Sequence, residues 1–388
     1  MQYLTKNLTL QLATVLLVCG FAAPLDAQPK DDLLTPAKWQ QVDTSVERAL
    51  LWLASQQQRN GSFPTLTQGQ PGVTSLCVMA FVAHGHLPGE GPYGEQLDRA
   101  LEFIVSCQKP SGLLALVGPG GKTISRNVSH SIGSAASYNH AFSALLLSEV
   151  FAMGGGDLQQ NQTAIERAVQ ATLVMQRWPK RRKTDKGGWR YINRFDEDGL
   201  HDSDLSVTGW HLMFLRSAKN AGFEVPKETI DNAVAYVHRC FQPKFQTFLM
   251  FAGPEDSRSR GMAGAGILAL AHAGHHDSKE ARLAGDWLLK EGFANYNESR
   301  HFNSDSWTDD RYHYGVFCAS QAMYQLGGDH WSQFYPPTVK VILQNQGQRG
   351  NWAADVHYSD GKFGNSYTTA LMVLTLGAPN QLLPIFQR

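Results

Sequence analysis

Residues 45–63 read SVERALLWLASQQQRNGSF, and residues 73–85 read VTSLCVMAFVAHG. The first stretch places apolar residues at helical spacing with polar residues between them, which predicts an amphipathic helix. The second stretch is apolar around its whole circumference and ends at Gly85, which predicts a buried helix closed by a left-handed glycine. Together they predict a pair of helices, of which one faces solvent and the other is buried.

This pair of segments recurs six times along the chain. Amphipathic helices are predicted at 45–58, 96–108, 164–176, 229–241, 278–291 and 337–346. Apolar helices, each followed by a glycine, are predicted at 73–84, 138–153, 205–221, 261–273, 312–326 and 366–376. The alternation predicts an all-α fold, a single (α/α)6 toroid in which six outer helices surround six inner helices.

A second pattern lies in the turns between outer and inner helices, where Gln-x3-Gly-x-(aromatic or Leu) recurs. Its members are Gln57, Gly61 and Phe63, then Gln108 and Gly112, then Gln346, Gly350 and Trp352, and, after an insertion, Gly187 and Trp189. We assign these residues a structural role. Glycine permits a tight turn, glutamine can hydrogen-bond an exposed helix end, and the aromatic ring covers apolar surface.

These turns resemble the QW motif of squalene and hopene cyclases and the related repeats of protein prenyltransferases. The resemblance covers roughly residues 40–380 and is also seen in exported bacterial proteins that carry such repeats. It implies an α/α toroid whose central cavity holds an isoprenoid or another lipid.

Composition and charge exclude several classes of protein. The 34 Lys and Arg residues balance 34 Asp and Glu residues, so the chain has no general attraction to nucleic acid. A hydrophobic fraction of 43% excludes disorder. Nucleotide-binding and metalloprotease motifs are absent, and we expect neither a cofactor nor a metal.

The N-terminus has the features of a secretory signal. Lys6 precedes an apolar run over 8–23 and a small-residue exit at Ala27. We therefore expect residues 1–27 to be a signal peptide, 28–40 a linker, 41–380 the toroid and 381–388 a C-terminal tail. The expected location is periplasmic or secreted, without a transmembrane span in the mature chain. Lipid anchoring at Cys19 is not expected, because Val18 is bulky where a small residue is required.

Four cysteines remain in the expected mature chain: Cys77, Cys107, Cys240 and Cys318. Their wide separation is unlike that of a small disulfide-stapled scaffold, although export permits disulfides. We expect buried cysteines in a core, and the sequence leaves any pairing open.

Candidate functional residues lie where the inner helices begin, because those helix ends meet at one mouth of a toroid and favour anions. The candidate ligand-binding residues are Trp210, His313, Tyr312, Trp307, Arg258, Arg260 and His140.

Residues 201–208, HDSDLSVT, resemble the D-x-D-D-T motif of squalene cyclases. The resemblance implies that Asp204 is the proton-donating middle aspartate and Asp202 the first aspartate, while Leu205 replaces the third. The alternative is a pair of helix-capping aspartates. The segment 312–318, YHYGVFC, resembles the zinc-histidine segment of prenyltransferase β-subunits. The preceding inner helix lacks the other zinc ligands, so no zinc is expected at His313.

Three functions stay open at this point. The first is a cyclase-like protein that binds an isoprenoid or another lipid, with acid catalysis at Asp204. The second is a non-catalytic scaffold, like the toroid of α-macroglobulins, that binds an envelope protein. The third is a glycan lyase or hydrolase with sugar platforms at Trp189 and Trp307. Its candidate carboxylates are Asp196, Glu197, Asp202, Asp204, Asp305, Asp309 and Asp310.

Overall fold

Twelve α-helices, alternating between an outer and an inner ring, make up most of the computed structural model, which describes residues 33–192, 201–298, 300–302, 310–354 and 359–387. The outer helices are α1 (Pro36–Gln56), α3 (Gly94–Ser106), α5 (Leu158–Gln176), α7 (Lys227–Cys240), α9 (Lys279–Glu291) and α11 (Gly328–Gln344). The inner helices are α2 (Gly72–Val82), α4 (His130–Ala152), α6 (Leu205–Asn220), α8 (Arg260–His272), α10 (Tyr312–Leu326) and α12 (Gly364–Leu376). One short hairpin pairs β1 (Phe241–Gln242) with β2 (Thr247–Phe248).

The predicted (α/α)6 toroid is confirmed. Each inner helix contacts the next in chain order, and α12 returns to contact α2, which closes the inner ring. Every residue of α2 is buried, as its apolar circumference predicts. The outer helix α3 buries one face only, through Leu97, Ala100, Leu101 and Ile104.

Four helices begin six or more residues earlier than the sequence pattern indicates. Helix α1 begins inside the stretch assigned to the linker, where Thr35 accepts a hydrogen bond from the Lys38 amide. Helix α4 begins at His130 because Ser129 caps it, and α5 begins at Leu158 because Asp157 caps it. Helix α11 begins at Gly328 and contains Pro336 and Pro337. Packing of its buried aromatic residues outweighs the helix-breaking tendency of proline.

Four glutamines link outer helices to one another. Each donates from Nε2 to a backbone carbonyl of the next outer helix in the linked pair: Gln57 to Gln96 at 2.7 Å, Gln108 to Ala164 at 2.8 Å, Gln176 to Thr229 at 2.9 Å, and Gln346 to Ser45 at 2.7 Å. The same atom also donates to the glycine carbonyl of its own turn. Because Gln346 follows the last outer helix and Ser45 lies in the first, their bond closes the outer ring.

The glycines of these turns touch the neighbouring helix directly. Gly350 has a φ of +94°, and a Cβ there would run into the carbonyl of Arg48 on α1. A Cβ at Gly61, Gly112 or Gly187 would likewise run into a carbonyl of a neighbouring outer helix. These carbonyls belong to Arg99, Arg167 and Asn232, respectively. The glycine is therefore required twice, for its left-handed backbone and for the close approach of two helices.

The C-terminal segment crosses the end of the ring where the inner helices finish. The Ile385 amide donates to Oε2 of Glu149 at 2.9 Å, and Ser217 Oγ donates to Oε1 at 2.5 Å. Gln325 Nε2 donates to the Phe386 carbonyl at 2.8 Å. Burial raises the pKa of Glu149 to about 7. The stretch predicted as a tail thus packs, over its described residues, against α4, α6 and α10.

Substituting the ring-closing glycine tests this account of the turns. We expect Gly350→Ala to lower the free energy of unfolding by about 2 kcal/mol more than Gly222→Ala does, as measured by urea denaturation. Gly222 is the matched control, since its φ is +93° but no atom lies within 4 Å of the added Cβ. Equal losses in the two variants would show that close approach to Arg48 is unimportant.

Candidate functional site

Three hydroxyl groups meet inside the ring at the end where the inner helices begin, which we call the mouth. The Tyr138 hydroxyl donates to Ser206 Oγ at 2.8 Å, and Ser206 Oγ lies 2.8 Å from the Tyr314 hydroxyl. Trp210 Nε1 also donates to the Tyr314 hydroxyl, at 3.0 Å. These residues come from α4, α6 and α10, and α10 lies opposite α4 in the inner ring. The bonds therefore span the interior of the ring.

Aromatic rings continue this packing toward the other end. The ring centroids of Phe142 and Trp210 lie 4.4 Å apart, and Trp210 stacks on Phe317 at 5.8 Å. Their exposed fractions are 8%, 2% and 1%, respectively. Phe317 in turn contacts Phe386 of the C-terminal segment. The chain's own side chains thus fill this path through the ring, where the resemblance to cyclases implies a lipid-holding cavity.

Asp204 caps α6 and forms an ion pair. Its Oδ1 accepts from the Val207 amide at 2.7 Å, and its Oδ2 accepts from Arg190 Nη1 at 2.5 Å. The Asp204 side chain has no exposed surface. Burial raises the pKa of this carboxyl, against the opposing effects of Arg190 and the Val207 amide. Both carboxylate oxygens are already engaged by N–H donors.

Three further aspartates at the mouth are held in the same way. Arg181 pairs with Asp202 at 2.9 Å, Arg260 with Asp310 at 2.6 Å, and Arg311 with Asp360 at 2.7 Å. The Arg260 pair is fully buried, and its guanidinium also donates to the carbonyls of Gly292 and Glu298. Arg260 therefore ties the loop after α9 to the start of α8.

Three of the four arginines are partly exposed to solvent. The Arg190 side chain is 22% exposed, and those of Arg181 and Arg311 are each 39% exposed. Arg181 bonds Asp202 through both Nε and Nη2, whereas, within the described residues, Arg190 and Arg311 each use only Nη1 to bond their aspartates. Arg190 also lies over the rings of Tyr191 and Phe251, with its guanidinium carbon 4.2 Å and 5.0 Å from their centroids. Their other N–H groups are therefore left for a ligand to bond.

We define the mouth surface as Tyr138, Tyr191, Tyr314, Arg190 and Arg311, all of which are partly buried. The sequence pattern does not single out Arg190, Tyr191, Arg311 or the supporting Asp360. One signal was present, because Arg190 and Tyr191 directly follow Trp189, the aromatic residue of a Gln–Gly turn. Each such turn leads toward the start of an inner helix. The residues that follow its aromatic residue therefore lie near the mouth.

The predicted ligand-binding residues are dispersed. Trp210 belongs to the packed rings described above. His140 is fully buried, where Nδ1 accepts from the Leu114 amide and Nε2 contacts Thr172 Oγ1 at 2.9 Å. Both ring nitrogens of His140 thus contact groups of the protein itself, which indicates a structural role.

The remaining described candidates, Tyr312, His313 and Arg258, lie on the α8 and α10 side of the mouth. His313 Nε2 lies 2.9 Å from the Tyr296 hydroxyl, and Tyr312 packs against Phe293 and Tyr296. Arg258 makes two hydrogen bonds to Asp256, each of 2.8 Å. Trp307 lies outside the described residues. The described candidates Tyr312, His313 and Arg258 therefore do not join the mouth surface.

The carboxylates of the glycan hypothesis do not form a facing pair among the residues described. Asp202, Asp204 and Asp310 are each engaged by an arginine. Asp196, Glu197, Asp305 and Asp309 lie outside the described residues. Trp189 is buried, and its indole donates to the Thr172 carbonyl at 2.9 Å, so its ring is no open platform for a sugar.

Other features of the described residues bear on metal, redox and membrane chemistry. Cys77, Cys107, Cys240 and Cys318 are buried free thiols, and burial raises the pKa of each. In the same portion of the chain, His, Cys, Asp and Glu form no group of three that could hold a metal ion. None of the described helices has the length and hydropathy of a membrane span. Cys19 and the predicted signal peptide lie outside this portion.

The comparison with known proteins rests on structure. No family model matches the sequence, and no curated protein matches it significantly. A type II terpene cyclase from Scytonema, in complex with geranylgeranyl dihydroxybenzoate, is 14% identical over 90% of this chain and 100% of its own, with a TM-score of 0.53. The two chains share the α/α-toroid fold.

Two toroidal proteins named for activity on sugars match this chain with TM-scores close to that of the cyclase. Cellobiose 2-epimerase from Bacillus thermoamylovorans is 14% identical over 87% of this chain and 98% of its own, with a TM-score of 0.59. A family 76 mannosidase from Bacteroides thetaiotaomicron is 10% identical over 88% and 98%, with a TM-score of 0.56. Such identities show the fold alone, because one fold carries many chemistries.

Two substitutions of Asp204 test its structural role. We expect Asp204→Ala to lower the free energy of unfolding by about 3 kcal/mol, because the helix loses its cap and Arg190 loses its partner. Asp204→Asn should cost roughly half as much, since asparagine caps a helix as well as aspartate does. Thermal and urea denaturation measure both values. Wild-type stability in both variants would contradict the assigned cap.

Proposed function

We propose that the protein binds an amphiphilic ligand at its mouth, with the ligand's anionic head group on the mouth surface. The observation that carries the proposal is the pair of partly exposed guanidiniums, Arg190 and Arg311, whose positions are held by buried aspartates. Arginine suits carboxylate and phosphate groups because its planar fork donates parallel hydrogen bonds. The beginnings of the inner helices add partial positive charge at the same end.

The phenol groups of the mouth surface supply the second part of the site. Tyr138, Tyr191 and Tyr314 offer ring faces for an apolar body and hydroxyls for polar groups. The expected isoprenoid or other lipid remains our ligand class. Its chain would lie across the aromatic mouth, because Phe142, Trp210 and Phe317 occupy the path inward.

The proposal concerns binding, and acid catalysis by Asp204 is not part of it. A proton donor must present an acidic oxygen to its substrate. Both oxygens of Asp204 instead accept hydrogen bonds from Val207 and Arg190. The catalytic roles implied for Asp204 and Asp202 therefore stay predictions, as do the scaffold and glycan alternatives.

Export is a separate part of the proposal and rests on the sequence. The charged start, apolar run and small-residue exit of residues 1–27 have the order of a secretory signal. We propose a periplasmic or secreted protein, in which the mouth would meet lipids or proteins of the envelope.

Calorimetric titration with three probes tests the binding proposal. We expect geranylgeranyl phosphate to bind with 1:1 stoichiometry and geranylgeraniol to bind at least about tenfold more weakly, because it lacks the anionic head. Inorganic phosphate should bind weakly at the same site and compete with the lipid.

Conservative variants locate the site. Arg190→Lys and Arg311→Lys keep a charge beside each aspartate but remove the planar fork, so each should weaken geranylgeranyl phosphate binding about tenfold. Arg181→Lys is the matched control, since Arg181 pairs with Asp202 but lies outside the mouth surface. Absence of binding, or binding that neither variant weakens, would refute the proposal.

A further inference from the structure

Asp185 and His201 face each other at the edge of the mouth with two buried polar atoms unbonded. Oδ1 of Asp185 lies 3.8 Å from Nδ1 of His201, and neither atom has a hydrogen-bond partner. The side chains are 0% and 7% exposed, respectively. A buried carboxylate oxygen without a partner costs free energy, so this pair requires an explanation beyond packing.

The surrounding residues hold both side chains in place. Oδ2 of Asp185 accepts from the Asp202 amide at 2.8 Å, and its backbone carbonyl accepts from Ser203 Oγ at 2.7 Å. The imidazole of His201 stacks on Phe251, with centroids 4.2 Å apart and planes 6° from parallel. The carboxylate and the imidazole are thus positioned by separate loops, one before α6 and one before α8.

The second nitrogen of His201, Nε2, faces Arg182. Nη1 of Arg182 lies 3.5 Å from Nε2 and donates to it, and the Arg182 side chain is 35% exposed. Phe251, which stacks on His201, also lies under Arg190 of the mouth surface. His201 thus shares Phe251 with the mouth surface, and its Nε2 faces a partly exposed guanidinium.

We propose that Asp185 and His201 form an acid–base pair that exchanges a proton with a hydroxyl group or water at the edge of the mouth. Nδ1 of His201 carries its hydrogen toward Asp185, so the lone pair of Nε2, which faces Arg182, is the proton acceptor once the incoming O–H group replaces the Arg182 contact. The proton moves from the O–H group to Nε2, the bonding electrons stay on the oxygen, and Asp185 stabilises the imidazolium. The reverse transfer restores the neutral ring.

The geometry suits this role better than it suits a metal site or a structural ion pair. Two unbonded ligand atoms are too few for a stable metal centre. A carboxylate that orients the far nitrogen of a histidine is the arrangement by which many enzymes fix the reactive tautomer. Such hydrogen bonds are often long without substrate and shorten when a ligand binds. Asp185 is accordingly a positioning residue, and His201 is the group that meets the ligand.

The tautomer of His201 is the first test, read from the ¹⁵N chemical shifts of the folded protein at pH 8. We expect hydrogen on Nδ1 and none on Nε2. In Asp185→Asn, the amide oxygen must remain on the Asp202 N–H, so the amide NH₂ faces Nδ1. His201 should then switch to the tautomer with hydrogen on Nε2. A wild-type ring that carries its hydrogen on Nε2 would overturn the proposal.

Reactivity toward p-nitrophenyl acetate is the second test. Nε2 attacks the ester carbonyl, p-nitrophenolate leaves with the bonding electrons, and water later hydrolyses the acetyl-imidazole. We expect acetylation to map to His201 and to be about tenfold slower, or more, in Asp185→Asn. His201→Gln should abolish the fast phase, and His301→Gln, which alters an exposed histidine, should not.

A wild-type protein that is not acetylated at His201, or an Asp185→Asn variant that reacts at the wild-type rate, would overturn the acid–base pair. Neither readout requires a lipid or phosphate ligand. Failure of the mouth-binding proposal and failure of this one are therefore separate results.

Discussion

The hydrogen bond from Gln346 to the Ser45 carbonyl is the contact on which the ring depends. It joins residues 301 positions apart and links the last outer helix to the first. A single hydrogen bond contributes only about 1 kcal/mol net, so its importance is geometric. Once the outer ring is closed, the inner helices are confined and their first turns must converge on one mouth.

Convergence at the mouth explains the chemistry found there. Several helix ends meet in a small area, and each leaves amide groups that need acceptors. Asp204 supplies an acceptor to α6, and the Arg260 amide at the start of α8 donates to Asp310 Oδ1 at 2.8 Å. Arginines then neutralise the buried carboxylates. Arg190 and Arg311 are partly exposed and, within the part of the chain that the structure describes, bond their aspartates through Nη1 alone. A capping requirement thus produces a candidate binding surface.

Much of the fold follows from periodicity, whereas the site depends on contacts between distant residues. Apolar repeats and terminal glycines predicted both rings, because burial and turns leave local marks. Five of the six terminal glycines have a positive φ, whereas the prediction of a left-handed glycine was wrong at Gly377, whose φ is −81°. Gln176 escaped the predicted pattern because an insertion separates it from Gly187, although both act as in the other turns. Nothing local to Asp204 reveals that Arg190 would occupy its carboxylate.

His140 shows the same limitation in more detail. Its Nδ1 accepts the Leu114 amide, just as Thr74, Thr208 and Thr369 accept the corresponding turn amides from Phe63, Trp189 and Trp352. In sequence it is a histidine on an inner helix and hence a candidate ligand-binding residue. Only the repeat, superposed in three dimensions, shows that it replaces a threonine in a structural bond.

The account holds that the interior of the ring is filled and that ligands meet the protein at the mouth. Xenon enters dry apolar cavities, which makes a crystal structure under xenon pressure the most direct test. We predict no xenon between Phe142, Trp210 and Phe317. A well-occupied xenon atom among these three rings would reveal an internal cavity and contradict the account.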